Sequence, residues 1–278
     1  MKRSVDIMYR VLTDYNTYVW MKEEDIENSI KDDFLLKREI IMAMGMTHNK
    51  KYLKYLYPYL NNEVFYKRRE AAQSIFLIDG EEGLENLKKR ESQLDDIEYN
   101  DPPSEKALLK ALIIRIENGV KGSEEYFFSD TGNVTVKYAQ LACYSRGFLY
   151  QEEDIVLITK ILEAYVEKKS AWIKKLSKSD YLEAIYFTVQ SIWYANDETQ
   201  VMQNISDKVS EQLCEVFKNI SEMRVSSDVL EMLVDISAGL REKYALYFLR
   251  ILKGKTRGDA KKAYKKALKK WNLMEDLL

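Results

Sequence analysis

The chain has 278 residues, 46% apolar and 32% charged, so it can bury a sizeable core and is not disordered by default. Its three Pro and ten Gly fall below the average usage of roughly 5% and 7%, which points to an all-α class with little turn and strand punctuation. The net charge of −2 favours no polyanionic partner for the chain as a whole, and one His and two Cys exclude most metal and His-dependent chemistry.

Val5, Met8, Leu12, Tyr15 and Val19 recur at three- and four-residue steps, the period of a one-sided helix. Similar patterning predicts helices over residues 4–19, 24–31, 33–45, 49–60, 63–78 and 81–91. After a loop come 104–118, 122–128, 134–149, 152–168, 170–176, 180–195, 198–220, 227–238, 241–253 and 259–272. Only 133–136 has a trace of strand character, and it is too short to matter. Ser104 after Pro102-Pro103, Asp180 with Glu183, and Asp259 after Gly258 read as helix starts, because a short polar side chain accepts from a free N–H of the first turn. Gly45, Gly80, Gly119 and Gly254 read as stops.

The first twenty residues carry Asp6, Arg10 and Asp14 at near-regular intervals, so no signal peptide is expected. The most apolar stretch, 107–116, contains Lys110 and Arg115 and is too short to cross a bilayer. Cys143 and Cys214 read as small buried hydrophobes in a reducing, cytoplasmic setting, although one bridge between them is conceivable.

Shifted by 31 positions, residues 32–56 fall on 63–87. Asp32 meets Glu63, Arg38 meets Arg69, Glu39 meets Glu70, and Leu53 and Leu56 meet Leu84 and Leu87. A helix pair this short cannot bury its own apolar face and must stack on a neighbour. The segment from Leu53 through Arg69, Ala71 and Ala72 to Gly80 resembles one unit of the HEAT-repeat α-solenoids. Its first helix is Leu-rich, its turn polar, and its second helix has an Arg followed by an Ala pair. Residues 33–45, with Asp32, Arg38 and Ala43, resemble a second copy; Glu63 stands where the family usually has Asp. The resemblance is carried by residues 32–90 and fades beyond 104 to an echo at 137–142.

It implies a right-handed α-α superhelix of antiparallel helix pairs, irregular in its C-terminal half. The expected organisation is a single helical-repeat domain over 1–278, with a HEAT-like half at 1–91 and an acidic loop at 92–103. Longer helix pairs follow at 104–254, and a basic capping helix at 255–278. It also implies a non-enzymatic scaffold that holds another protein on its concave face.

Charge is unevenly distributed. Residues 241–278 hold 12 Lys/Arg against 4 Asp/Glu, which leaves −10 on residues 1–240 out of the total of −2. Glu91, Asp95, Asp96, Glu98, Asp101 and Glu105 fall in a stretch without Lys or Arg, a candidate contact for a basic protein. In 259–271, Tyr264, Leu268 and Trp271 share one side with Ala260 and Ala267. Lys261, Lys262, Lys265, Lys266, Lys269 and Lys270 share the other, as either a solvated cap or a surface for an acidic partner.

No catalytic, cofactor-binding or metal-ligating set emerges. His48 lies in a turn; Gly254-Lys255-Thr256 lacks the earlier glycine and strand of a phosphate-binding loop; Glu23/Glu24 and Glu152/Glu153/Asp154 complement helix starts. The expected partner is therefore another protein of basic character, for instance a toxin that this chain neutralises, with nucleic acid disfavoured by the acidic body. Two alternatives remain. One is a HEAT-like alkylpurine DNA glycosylase with Trp20, Trp172 and Trp193 as aromatic candidates, for which no motif places an Asp beside them. The other is an adaptor that uses its basic end on nucleic acid or membrane.

Overall fold

A computed structural model describes residues 38–95, 104–144, 147–198 and 201–271. The helices expected at 4–19 and 24–31, the first five residues of 33–45, and Trp20 lie outside the described residues. Among the described residues every regular element is helical and none is a strand. The protein is an all-α, multi-helix fold. The chain divides into two compact units, one of residues 1–123 with 135–143 and one of 124–134 with 144–278.

The first unit begins with α1 (Arg38–Met46). A compound segment follows, a 3₁₀ turn Lys50–Tyr52, α2 (Leu53–Leu56) and a 3₁₀ turn Tyr57–Asn61, and then α3 (Phe65–Ser92). The single helix expected over 49–60 is thus a 3₁₀–α–3₁₀ run whose last part carries Pro58, which cannot donate to the helical ladder. The two helices expected at 63–78 and 81–91 join into α3 across a kink at Asp79 (φ −166°, ψ 96°).

Two residues one 31-residue period apart both leave the helical conformation, in different ways. Asp79 is the counterpart of His48, the left-handed residue (φ 52°) of the turn after α1. The two breaks also meet. His48 Nδ1 lies 2.7 Å from the Leu77 carbonyl, and Lys50 pairs with both Asp79 and Glu82. A kink frees carbonyls from the i→i+4 ladder, and the neighbouring turn occupies one of them.

α1 and α3 pack closely because Gly45 has no side chain: a Cβ there would come within 2.8 Å of Ser74 Cα. Ser74 Oγ donates to the Ile41 carbonyl at 2.7 Å in this contact. Ile41, Met44, Leu53, Leu56, Ala71, Ala72, Ile75 and Leu87 are all buried, so the Ala pair does serve as small packing residues.

α4 (Glu105–Phe128) merges the helices expected at 104–118 and 122–128 through a bend at Gly119 (φ 64°), a conformation glycine adopts without steric cost. Its residues 105–123 belong to the first unit and 124–128 to the second. Ser104 caps it as expected, accepting from Ala107 N at 3.2 Å. The helix expected over 134–149 is shorter: α5 (Val134–Ala139) passes into a 3₁₀ turn, Gln140–Cys143, and the described residues that follow within that span are not helical.

The second unit holds α6 (Glu152–Val166), a 3₁₀ turn Ile173–Lys175, α7 (Lys178–Glu198), α8 (Val201–Asn204), α9 (Asp207–Glu222), α10 (Ser227–Gly239), α11 (Glu242–Leu252) and α12 (Gly258–Lys270). The expected helix 198–220 is broken between α8 and α9. The start of α7 is capped by Ser177, whose Oγ accepts from Asp180 N at 3.2 Å; Asp180 is the third residue of the helix and not its cap. Asp259 likewise lies inside the first turn of α12, whose flanking residue Arg257 makes no side-chain cap.

The neighbours of each helix sort these elements into two rows. α9 packs on α6 and α11, while α10 packs on α7 and α12. Within a row, like ends meet. At the starts of the first row, Ser206 N donates to Glu152 Oε1 at 3.0 Å, and Arg241 pairs with Asp207 and donates to the Ile205 carbonyl at 2.9 Å. At the ends of the second row, Asn196 Nδ2 donates to the Asp235 carbonyl at 3.1 Å, and Lys270 Nζ to the Ala238 carbonyl at 2.8 Å. Neighbours in a row therefore run in the same direction. Leu213, Phe217, Ile220, Leu233, Phe248 and Leu249 are buried among them, and the Phe217 and Phe248 rings meet edge to face at 5.5 Å.

Candidate functional site

Three places collect charged or aromatic side chains with defined geometry. The first is the base of the acidic segment. Arg68 on the first turn of α3 and Arg90 on its last turn converge on Glu105, the first residue of α4. Arg68 Nε lies 2.5 Å from Oε2 and Arg90 Nε 2.7 Å from Oε1. Arg68 Nη1 also donates to the carbonyls of Asn62 and Glu63, and Lys106 Nζ donates to the Leu94 carbonyl at 2.9 Å.

Glu105 is only 7% exposed, in contrast to the exposed acid expected from its place at the end of a loop. A buried carboxylate needs partners, and two guanidinium groups supply them. Its charge is used internally and is not presented to a partner. Of the other acids of this segment, Glu91 is half-buried and Asp95 exposed, while Asp96, Glu98 and Asp101 lie outside the described residues.

The second place is α12. Ala260, Ala263, Tyr264, Ala267 and Leu268 are buried, and Lys261, Lys262, Lys265, Lys266, Lys269 and Lys270 are all exposed. Lys262 pairs with Asp259 at 2.7 Å, and Lys270 holds the Ala238 carbonyl. The Asp259 carboxyl is held below its usual range by the hydrogen bond and charge of Lys262.

The third lies on α7 and α10. Trp193 Nε1 donates to Asp235 Oδ2 at 3.4 Å, so an Asp does stand beside a tryptophan, brought there by a helix 42 positions away. Glu231 is one turn before Asp235 on the same helix. Burial pushes its carboxyl up, reinforced by Asp235, Asp259 and Asp228. Trp172, by contrast, packs edge to face on Phe127 (5.2 Å) and Tyr165 (5.9 Å) as part of an aromatic core.

Arg68, Arg90 and Asp235 escaped the sequence reading. Arg68 adjoins Arg69, the residue that the repeat singled out, and nothing local tells which of the two reaches Glu105.

The described residues contain no group of three or more His, Cys, Asp or Glu arranged to hold a metal ion. Cys143 and Cys214 are both free and buried, and burial pushes the Cys214 thiol up to about 12, which leaves it protonated and unreactive near neutral pH. No described helix is long and apolar enough to cross a membrane. Compared with known proteins, the chain matches no family model, and no curated protein matches it.

Proposed function

We propose that the protein is a non-enzymatic, cytoplasmic binding scaffold of the HEAT-like type that holds a basic protein, such as a nuclease toxin that it neutralises. The observation that carries this reading is the pair of helix rows α6–α9–α11 and α7–α10–α12, with like ends joined by side-chain hydrogen bonds. Rows of parallel helices are how helical repeats bury their apolar flanks while leaving continuous exposed faces for a partner. The break shared by His48 and Asp79 at the 31-residue period supports the same architecture in the first unit. The charge of −10 on residues 1–240 favours a cationic partner, since opposite charge accelerates capture.

The test is affinity purification of the full chain at low salt, followed by titration of any retained protein, purified, against this chain. A basic protein that binds at low salt and dissociates as salt rises is expected. Retention of nothing, or of a partner whose affinity ignores salt, would reject the charge-driven reading.

A second reading, the alkylpurine DNA glycosylase, gains from the Trp193–Asp235 contact, which places a carboxylate against an indole edge. It requires release of alkylated purine from methylated DNA by the purified chain and its loss in Asp235→Asn. An inactive wild-type chain removes it.

A further inference from the structure

Between residues 250 and 270 there are ten Lys or Arg and a single acid, Asp259. Four of the α12 lysines, Lys261, Lys265, Lys266 and Lys269, are exposed and make no ion pair or hydrogen bond among the described residues. Beyond Asp259, each turn of the helix adds cations without adding a counter-charge. An array of unpaired like charges on one rigid element is self-repulsive, and a polyanion relieves that repulsion.

The shape of the array narrows the choice of polyanion. At 100° per residue, the six lysines of α12 sweep an arc of about 180°, half the circumference of the helix. The other half is occupied, because Ala260, Ala263, Tyr264, Ala267 and Leu268 are packed away with α10 as the neighbouring helix. An amphipathic helix binds a membrane by burying its apolar side in the headgroup boundary, and here that side is already used. A flat anionic surface would also reach only the lysines on one line of a convex rod.

A concave, two-walled anion meets both flanks at once. The major groove of duplex DNA, about 12 Å wide and edged by phosphates, admits an α-helix, whereas the narrow major groove of A-form RNA does not. Lysine serves phosphate as a point charge, and the exposed arc carries no Arg fork to read base edges.

We infer that α12 is a sequence-independent docking element for duplex DNA, laid along the groove with Lys261, Lys265, Lys266 and Lys269 on the flanking phosphates. This inference does not rest on the scaffold reading, since it uses a different surface and a different partner. It gives this end of the chain a role separate from that of the acidic remainder.

Fluorescence anisotropy of a labelled 25-base-pair duplex with the full-length chain tests it. With four phosphate contacts, log affinity should fall with log salt at a slope of about −3 to −4, so that affinity drops about 100-fold between 50 and 200 mM salt. Replacing the four lysines by Glu should abolish binding, and replacing them by Arg should retain it. Lys208→Glu, an exposed site on α9, should leave binding unchanged; circular dichroism checks that every variant is folded.

The inference is overturned by lack of binding at 50 mM salt or by a Glu variant that binds as well as the wild type. It is also overturned if duplex RNA or polyglutamate competes as effectively as DNA, or if phosphatidylserine vesicles retain the protein at a salt concentration that releases the duplex. Each of those results assigns the lysine face to another anion or to none.

Discussion

The two compact units use charge in different ways. In the first, a carboxylate is drawn inside and clamped by two arginines, so that Glu105 ties both ends of α3 to the start of α4. In the second, polar groups decorate the ends of apolar rows: Glu152, Asp207, Arg241 and Lys243 meet at helix starts where water has access. Removing one partner from a buried network leaves the others uncompensated, whereas an exposed pair simply returns to solvent. The first unit thus clamps a buried carboxylate between two arginines. In the second, the pairs of Asp207 with Arg241 and Lys243 lie exposed at helix starts, and Phe217, Phe248 and their neighbours form the buried contacts between helices.

The largest effect should come from Glu105→Ala. Arg68 and Arg90 are only 18% and 17% exposed, and leaving both without a carboxylate should cost about 3 kcal/mol. Urea unfolding measures it. A loss within the error of the fit would mean that the first unit does not depend on its internal charge, and the contrast between the units would collapse.

Gly45→Ala should come next. The added methyl meets Ser74 backbone and side-chain atoms inside van der Waals distance, so α1 and α3 must separate, at about 1–3 kcal/mol. A neutral outcome would show that this helix pair is loosely packed.

The smallest effects concern pH in the second unit, and they have opposite signs. Glu231 is raised by burial and by the acids around it, so its unfavourable ionisation erodes stability as pH rises through its folded-state value. Glu231→Gln should melt progressively higher than the wild type between pH 4 and pH 7. Asp207 is lowered, chiefly by its hydrogen bonds with Lys243 and Tyr244, so its contribution is present above the ordinary Asp range and lost as pH falls through the folded-state value. Asp207→Asn should differ from the wild type slightly at pH 7, and by less as the pH is lowered below the ordinary Asp range, by thermal melts. A large deficit at pH 7 would move the second unit towards the first.

Much of the secondary structure was readable from periodicity, and its errors have local physical causes. Two predicted pairs of helices run together because a bend at Asp79 or Gly119 can be accommodated without ending the helical run. Ser177 displaced Asp180 as a cap because it stands three residues ahead of Asp180, whose free first-turn N–H its hydroxyl can accept from. The lysine arc of α12 was legible in full, since 3.6-residue spacing alone separates its lysines from Ala260, Tyr264 and Leu268. The acidic stretch was legible only as composition. Its last member turned inwards, and although Ser104 marks Glu105 as the first residue of a helix, nothing within the stretch shows that Arg68 and Arg90 enclose it.

Local chemistry in the chain was enough to determine that the protein is helical, which flank of each helix is apolar, and where net charge accumulates, because these depend on residues within a turn or two of one another. Tertiary structure alone decided that Arg68 reaches Glu105 across 37 positions, that Asp235 comes to lie beside Trp193, and that the helices of the second unit sort into two parallel rows. Those outcomes depend on which apolar flanks choose each other. Many pairings bury similar area, and the choice among them is made by close-packing of particular shapes, which leaves no signature at any fixed spacing.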